Sequence, residues 1–199
     1  MNPIPNLGGV EFLALCEARH SVRSFQDRPI DDVVVERILA CARSAPYASG
    51  RKGWDVLVVR ERATIDRMAQ AVQDRTEAMT DLVRPDFSSQ WIEYSRNFHA
   101  FASAPVLFVP VFRPGPSLSA LLQSPDETSV RYDRENHIKS ISGATMLLLL
   151  AAQAEGLGAC PMTGPLLAAS ELNEILGIRH GREIAAIVPV GHPTENIHA

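Results

Sequence analysis

One helical segment in the last third of the chain constrains the fold most. Apolar residues recur at helical spacing over residues 136–155, and from Ala144 onward the segment is apolar nearly all round. A helix without a polar face has to be covered by other elements, which predicts a buried central helix. Gly156 and Gly158 follow this segment and mark its end.

The rest of the chain mixes helices and strands. Helical spacing indicates five further helices, at residues 9–18, 34–42, 65–84, 91–101 and 170–177. Asp31 or Asp32 is the expected cap of the second helix, and Pro46 stops it. Short apolar runs predict strands at residues 56–59, 106–112 and 184–190. Because these elements do not form a regular βαβ series, the sequence predicts an α+β fold with a small sheet.

The positions of the prolines support two further predictions. Pro110 lies inside the second predicted strand, which indicates an edge strand or a late bend because proline cannot donate to a ladder. Residues 113–130 hold three prolines and several serines, which indicates a long excursion or lid rather than a domain linker. The 199 residues are therefore expected to form a single domain, 1–199, with this excursion.

Composition excludes several classes of protein. The formal charge of −4 disfavours a general nucleic-acid binder. Three cysteines without a CxxC pair favour a reducing compartment, and no signal peptide or membrane-spanning run is visible, so we expect a cytoplasmic protein. The histidines show no metal-ligand spacing, and the usual dinucleotide, P-loop, zincin and hydrolase-elbow motifs are absent from the sequence.

A basic packet follows the first helix. Residues 19–25 read Arg-His-Ser-Val-Arg-Ser-Phe, so Arg19, Ser21 and Arg23 leave an extended chain on one side. Guanidinium forks and a hydroxyl are donors suited to phosphate, and His20 adds another donor. A phosphorylated ligand is one interpretation, and a basic surface turn after a helix is the other.

Two loops rich in small residues accompany the packet. One covers residues 45–54 and contains two cations and an aromatic residue, and the other covers residues 156–164 and follows the long helix. Small residues let backbone N–H groups approach a ligand closely. Each loop taken alone is better explained as a tight turn that needs small residues for packing.

The order and spacing of these segments resemble the nitroreductase family of FMN-dependent oxidoreductases. The family's Arg-[Arg/His]-Ser-x-[Arg/Lys]-x-Phe segment matches residues 19–25, and its Ala-Pro…Trp loop matches residues 45–54. A Gly-Leu-Gly turn at residues 156–158 and a Val-x-Val-Gly-His-Pro close at residues 188–193 complete the resemblance, which covers nearly the whole chain. It implies a nitroreductase-like fold, with a small mixed or antiparallel sheet flanked by helices in an intertwined homodimer.

The resemblance implies roles for the basic packet. Arg19 and Ser21 would hold the FMN phosphate, His20 would lie along the ribityl chain, and Arg23 would reach the N1/O2 edge of the flavin. A cation at that edge favours flavin reduction. No residue is implied as an obligatory acid or base.

The remaining implied flavin contacts come from three other segments. The 161–164 turn would face flavin N5 and O4, and the residues concerned are Pro161, Met162, Thr163 and Gly164. Asn97 would supply a further contact at the flavin edge. The second subunit would contribute its small-residue loop, through Pro46, Tyr47, Ala48 and Gly50. NAD(P)H would be the reductant in a ping-pong cycle, and a small planar acceptor such as a nitroaromatic or quinone the oxidant.

The chain departs from the family pattern in two places. Tyr47, Gly50, Lys52 and Gly53 stand where the family has Ser, Asn, Gln and Pro, and residues 194–199 lack the basic residue that often completes the phosphate site. Two alternatives therefore stay open. One is a degenerate member with weak or no flavin binding that serves as a binding or structural dimer. The other is specialised flavin chemistry such as dehalogenation or flavin breakdown.

Substrate choice in the implied enzyme would depend on aromatic residues and on the excursion. The residues concerned are Tyr47, Trp91, Tyr94, Phe98 and the segment 113–130.

Overall fold

A computed structural model describes residues 8–47 and 52–194. The helices in these ranges are α1 (Gly9–Ala18), α2 (Asp32–Arg43), α3 (Arg62–Thr80), α4 (Ser88–Ser95), α5 (Glu127–Ala154) and α6 (Ala169–Ile175). The strands are β1 (Trp54–Val59), β2 (Val106–Phe112), β3 (Gly158–Ala159), β4 (Glu183–Ile184) and β5 (Val188–Gly191). Short 3-10 turns lie at Pro85–Phe87, Ala100–Ser103, Ser119–Leu121 and Gly164–Ala168.

The strands form one antiparallel sheet in the order β1-β2-β5-β3, and β4 also pairs with β2. Side chains alternate across β2 with a period of two. Val106, Phe108 and Phe112 pack with α2 and α5 in one hydrophobic cluster. Leu107 and Val109 pack with α3 and α6 in a second cluster. The helices thus cover both faces of a small sheet, and the α+β prediction is confirmed.

Of the two alternatives predicted from Pro110, an edge strand or a late bend, the edge strand is wrong, because β2 is fully buried and has neighbours on both sides. Phe108 pairs with Val188 and Val111 with Ile184, so two residues of β2 face three residues of the partner segment. This bulge interrupts the hydrogen-bond ladder beside Pro110, so the strand does not require the backbone N–H donor that proline lacks. The predicted last strand, 184–190, is split at the same bulge.

The long helix begins at Glu127 rather than at residue 136, so the excursion ends at Asp126 instead of residue 130. A capping box explains the earlier start. The Asp126 carboxylate accepts from the Ser129 backbone N–H at 2.8 Å, and the Ser129 hydroxyl accepts from the Asp126 N–H at 3.1 Å. These bonds satisfy donors at the helix start and hold the pKa of Asp126 below its ordinary value.

Burial of α5 is one-sided in the protomer. Leu148 and Ala152 are fully buried against α2 and the sheet, but the side chain of Met146 is 49% exposed. The predicted burial of this helix is therefore confirmed on the face toward α2 and the sheet, and the side around Met146 is exposed in a single chain. Helix α1 has no buried residue although it is strongly apolar, and it leaves Val10 and Leu13 exposed.

Three other boundaries differ from the predictions. The helix predicted for residues 65–84 ends at Thr80. The aromatic segment 91–101 is divided between the end of α4, a turn and a 3-10 helix. Ser170 lies inside α6, whose cap is Ala168. Across the described ranges, none of the helices combines the length and the apolar character needed to cross a membrane.

Candidate functional site

The basic packet runs in an extended conformation beside β3. Ser21 forms a parallel bridge with Ala159, and the Val22 N–H donates to the Ala159 carbonyl at 3.1 Å. Val22 is buried, while its neighbours Ser21 and Arg23 are exposed. The backbone is thus fixed by the sheet, and the side chains on either side of Val22 are presented to solvent.

The polar side chains of the packet have few partners inside the protomer. Among the described residues, the side chains of Arg19, Ser21 and Arg23 make no hydrogen bond or ion pair. His20 Nδ1 donates to the Ala18 carbonyl at 3.0 Å, which leaves Nε2 free. Two guanidiniums and a hydroxyl are therefore available together to an anionic ligand. The described residues include no cluster of three or more His, Cys, Asp or Glu arranged to hold a metal ion.

The Gly-Leu-Gly turn fits closely against the packet. A Cβ added to Gly158 would lie 2.7 Å from Val22 Cβ, so only glycine allows this approach. Gly156 has φ +71°, a left-handed conformation that suits glycine at the end of α5. These two positions explain the turn by packing and conformation, and they place residues 158–164 beside the basic packet.

The turn at residues 161–164 is held between the sheet and the aromatic segment. Met162 and Ile187 exchange two backbone hydrogen bonds, both of 2.9 Å. A Cβ added to Gly164 would lie 2.3 Å from the Phe98 ring, so Gly164 packs directly on that ring. Pro161 and Thr163 are exposed, and Asn97, next to Phe98, is exposed as well. The structure therefore brings the 161–164 turn and the Asn97 region together.

The Gly-His-Pro segment at residues 191–193 also lies against the end of the basic packet. The Gln26 backbone N–H donates to the His192 carbonyl at 2.8 Å, and the Gln26 side-chain amide donates to the Pro193 carbonyl at 2.7 Å. Thr194 donates its hydroxyl to Ser24 Oγ at 2.7 Å. Burial, and secondarily the charge of Arg28, lowers the pKa of His192. This imidazole is therefore neutral at pH 7.

The small-residue loop is not joined to this site within one chain. Pro46 and Tyr47 follow α2, and within the described residues no hydrogen bond links them to residues 19–23. Ala48 and Gly50 lie outside the described residues. The predicted contribution of this loop to a neighbouring subunit's flavin remains a prediction.

Sequence reasoning missed a carboxylate at the centre of a second polar cluster. Asp133 accepts five hydrogen bonds of 2.6–3.0 Å, from the N–H and hydroxyl groups of Ser117 and Ser119 and from the Leu118 N–H. The two hydroxyls contribute most, and together with the backbone donors they hold the pKa of Asp133 well below its usual range. The cluster pins the excursion to α5. No local motif reveals it, because its two halves lie 14–16 residues apart, in the excursion and in α5.

Sequence reasoning also missed the partner of Gly53. A Cβ at this position would lie 2.7 Å from His137 Cε1, so the imidazole occupies the space of a side chain. His137 Nε2 donates to the Gly115 carbonyl at 3.2 Å, which ties the ring to the excursion. The departure from the family's proline at position 53 is thus compensated by a residue of α5.

Residues 16–192 match the family model described as the Nitroreductase family. A putative NADH dehydrogenase/NAD(P)H nitroreductase from Archaeoglobus fulgidus is 26% identical over 190 residues, which cover 93% of this chain and 87% of that protein. An iodotyrosine deiodinase from Hydra vulgaris is 25% identical over 94% of this chain, which spans 66% of the deiodinase.

Solved structures show the same fold. A BluB-like flavoprotein from Clostridium difficile 630 superposes with a TM-score of 0.83 at 22% identity, over 96% of this chain and 94% of that one. An iodotyrosine deiodinase bound to FMN and 3-iodo-L-tyrosine gives a TM-score of 0.71 at 21% identity, over 92% and 90% of the two chains. The predicted nitroreductase-like fold is confirmed.

Proposed function

The chain belongs to the nitroreductase family of oxidoreductases, and from this premise we propose that it is an FMN-dependent enzyme that takes electrons from NAD(P)H. The acceptor is a small planar molecule such as a nitroaromatic or a quinone. The observation that carries the proposal is the unpartnered donor set of Arg19, Ser21 and Arg23, fixed beside the 158–164 turn. A basic surface turn would not need a backbone locked into the sheet on one side.

The donor set suits the negative charge and the hydrogen-bond acceptors of FMN. Arg19 and Ser21 offer a charged fork and a hydroxyl to the phosphate, and Arg23 offers a cation to the pyrimidine edge of the ring. His20 has a free Nε2 for a ribityl hydroxyl. When bound, FMN supplies the hydride and electron transfer that no side chain of this site performs. The protein's own part is to bind the phosphate, orient the ring and place a positive charge at its edge.

The opposite edge of the ring is assigned to the 161–164 turn. Its backbone is fixed by the Met162–Ile187 hydrogen bonds and by the contact of Gly164 with Phe98. A rigid backbone keeps its N–H groups oriented without reorganisation. Thr163 is exposed and adds a hydroxyl, and Asn97 adds an amide on the neighbouring segment.

A homodimer is the proposed assembly. Helix α1 exposes 80% of Val10 and 56% of Leu13, and α5 exposes 49% of Met146. Apolar area of this kind is unfavourable in water, and a second copy of the chain would cover it. In the dimer, Pro46 and Tyr47, with Ala48 and Gly50, would complete the flavin site of the partner. The described cysteines are all free, which agrees with a reducing, cytoplasmic setting.

Reductive dehalogenation is the second candidate function. It is favoured by the iodotyrosine deiodinases among the relatives. An exposed aromatic group beside the proposed flavin edge offers a surface for a halogenated ring. Tyr94 and Trp91 both pack edge-on to Phe98, with ring centroids 5.0 Å and 6.1 Å away, and 69% of Tyr94 is exposed.

Steady-state turnover separates the two candidates. In one assay, the purified protein is supplied with NADH or NADPH and a panel of nitroaromatics and quinones. In a separate assay, the reduced protein is supplied with 3-iodotyrosine, and tyrosine is the matched control. A general reductase oxidises the nicotinamide with several acceptors. Iodide release with negligible turnover across the panel would instead establish the dehalogenase. Inactivity in both assays contradicts both candidates and supports a degenerate dimer.

A further inference from the structure

A wide cavity lies between the start of β1, the excursion and the first half of α5. Its volume is about 830 Å³, within the range of sites that bind small organic ligands. The lining residues that bear on its chemistry are Lys52, Gly53, Arg113, Leu121, Tyr132 and His137. The predicted flavin contacts Arg19, Ser21 and Arg23 are not among its described lining residues.

The charged groups of this cavity are all cations. Lys52 and Arg113 line it, and no carboxylate is present among its described lining residues. The Arg113 guanidinium has no hydrogen-bond or ion-pair partner in the part of the chain that the structure describes. The Lys52 ammonium lies 4.1 Å from the centroid of the Trp54 ring, a cation–π contact that leaves its N–H donors free for hydrogen bonds. Unpaired cations in a concave site favour an anionic ligand.

The walls of the cavity are apolar. Pro116, Leu118 and Leu121 come from the excursion, and the Tyr132 ring comes from α5. The exposed fraction is 82% for Leu121 and 50% for Tyr132, so these side chains have room for a ligand surface. A ligand that satisfies both features has a flat apolar body and one anionic group.

The frame of the cavity is fixed by the contacts described above. Asp133 holds the Ser117–Ser119 wall, and His137 holds Gly115. Gly53 leaves the space that the His137 ring occupies. Lys52 and Gly53, two of the chain's departures from the family loop, therefore both line this cavity. Lys52 provides a cation, and Gly53 leaves the space that the His137 ring of α5 fills.

We propose that this cavity binds a small planar aromatic carboxylate. The carboxylate pairs with Arg113 and Lys52, and the ring lies against Leu121 and Tyr132. The proposal rests on the proposed function, because the excursion is the segment expected to set substrate choice and Lys52 belongs to the 45–54 loop expected to complete the partner's flavin site. It adds the chemical class of the ligand that these segments bind.

Calorimetric titration of the protein as isolated tests the proposal, with 1-naphthoate as the probe and neutral 1-naphthamide as its match. Naphthoate is expected to bind saturably, and naphthamide at least tenfold more weakly. Arg113→Gln should raise the naphthoate Kd roughly tenfold or more, since a hydrogen bond between charged groups is lost. Arg75→Gln, which changes an exposed arginine of α3, is the matched control and should bind naphthoate as the wild type does.

Two results would overturn the proposal. One is equal binding of the two probes, or no saturable binding of naphthoate. The other is binding that Arg19→Gln abolishes and Arg113→Gln leaves unchanged, which assigns the anion to the flavin donors. Leu121→Asp is the second variant, because it sets a carboxylate at the cavity wall without touching Arg113. It should likewise raise the naphthoate Kd, and unchanged binding in a folded Leu121→Asp protein counts against the site.

Discussion

Two polar clusters of this protein differ in where their partners come from. Asp133 receives five hydrogen bonds from the excursion, so its charge is satisfied inside the protomer. Arg19, Ser21 and Arg23 have a backbone that is equally fixed, but their side chains have no partner among the described residues. The first cluster stabilises the fold, and the unpartnered donors of the second are the ones that we propose bind FMN. Polar groups whose hydrogen bonds are satisfied within the protomer are thus distinguished from polar groups that are proposed to bind a ligand.

The largest effect that sharpens this comparison is expected at Arg19. Arg19→Gln should weaken FMN binding roughly tenfold to a hundredfold, because a charge-assisted hydrogen bond to phosphate is worth about 1.5–3 kcal/mol. Its thermal stability in the absence of FMN should not change, since no contact within the described protomer is lost. Fluorescence titration of the flavin-free protein with FMN measures the affinity. Arg75→Gln is the control, and wild-type affinity in Arg19→Gln would remove Arg19 from the site.

The opposite pattern is expected at Asp133. Asp133→Asn replaces an acceptor oxygen by an amide that faces donors, so the Tm should fall by several degrees. FMN affinity measured below the new Tm should stay as in the wild type. Thermal unfolding followed by circular dichroism gives the Tm. Asp81→Asn, at an exposed carboxylate just after α3, is the control and should leave Tm unchanged, whereas an equal loss at both positions would refute the cluster's role.

The pH dependence of stability should follow the same carboxylate. The folded-state pKa of Asp133 is lowered, so its contribution is fully present above the unfolded-state pKa of about 3.9. The contribution is lost as pH falls from about 5 toward the folded-state value. The stability difference between wild type and Asp133→Asn should accordingly be constant from pH 5 to 7 and shrink below pH 5. A difference that grows toward acid pH contradicts the assignment.

A smaller effect is expected at Gly53. Gly53→Ala should destabilise the protein by about 1 kcal/mol, because the new Cβ meets the His137 ring. In the His137→Ala background the same substitution should cost much less, since the obstacle is gone. Urea unfolding of the four proteins of this double-mutant cycle measures the coupling. Strict additivity would show that the two positions do not compensate each other.

Most of the fold could be predicted from the sequence, but its long-range polar contacts could not. The pattern of apolar residues located the long helix and β2, because in each case the pattern lies within one continuous segment. The start of α5 was misplaced because the prolines before Asp126 obscured the capping box it forms with Ser129. The edge prediction for Pro110 was wrong because a bulge depends on the register of two strands, which one segment does not encode.

The candidate site and its surroundings likewise include motifs that could be predicted from the sequence and contacts that could not. Residues 19–25 and 156–164 could be singled out from the sequence because each is a contiguous motif, and the structure places Ser21 beside Ala159. The pairing of Gly53 with His137 was not predictable, because it joins distant residues that lack a shared motif. The Asp133 cluster was missed for the same reason. Contacts between segments are set by packing of the whole chain rather than by spacing.

The visible absorption spectrum of the purified protein tests the central claim most directly. The unpartnered donors of the basic packet should retain FMN, so the protein should be yellow with flavin bands, and unfolding should release free FMN. Protein isolated without flavin should acquire the same bands on incubation with FMN and keep them through gel filtration. A protein that stays colourless after incubation with excess FMN would contradict the account.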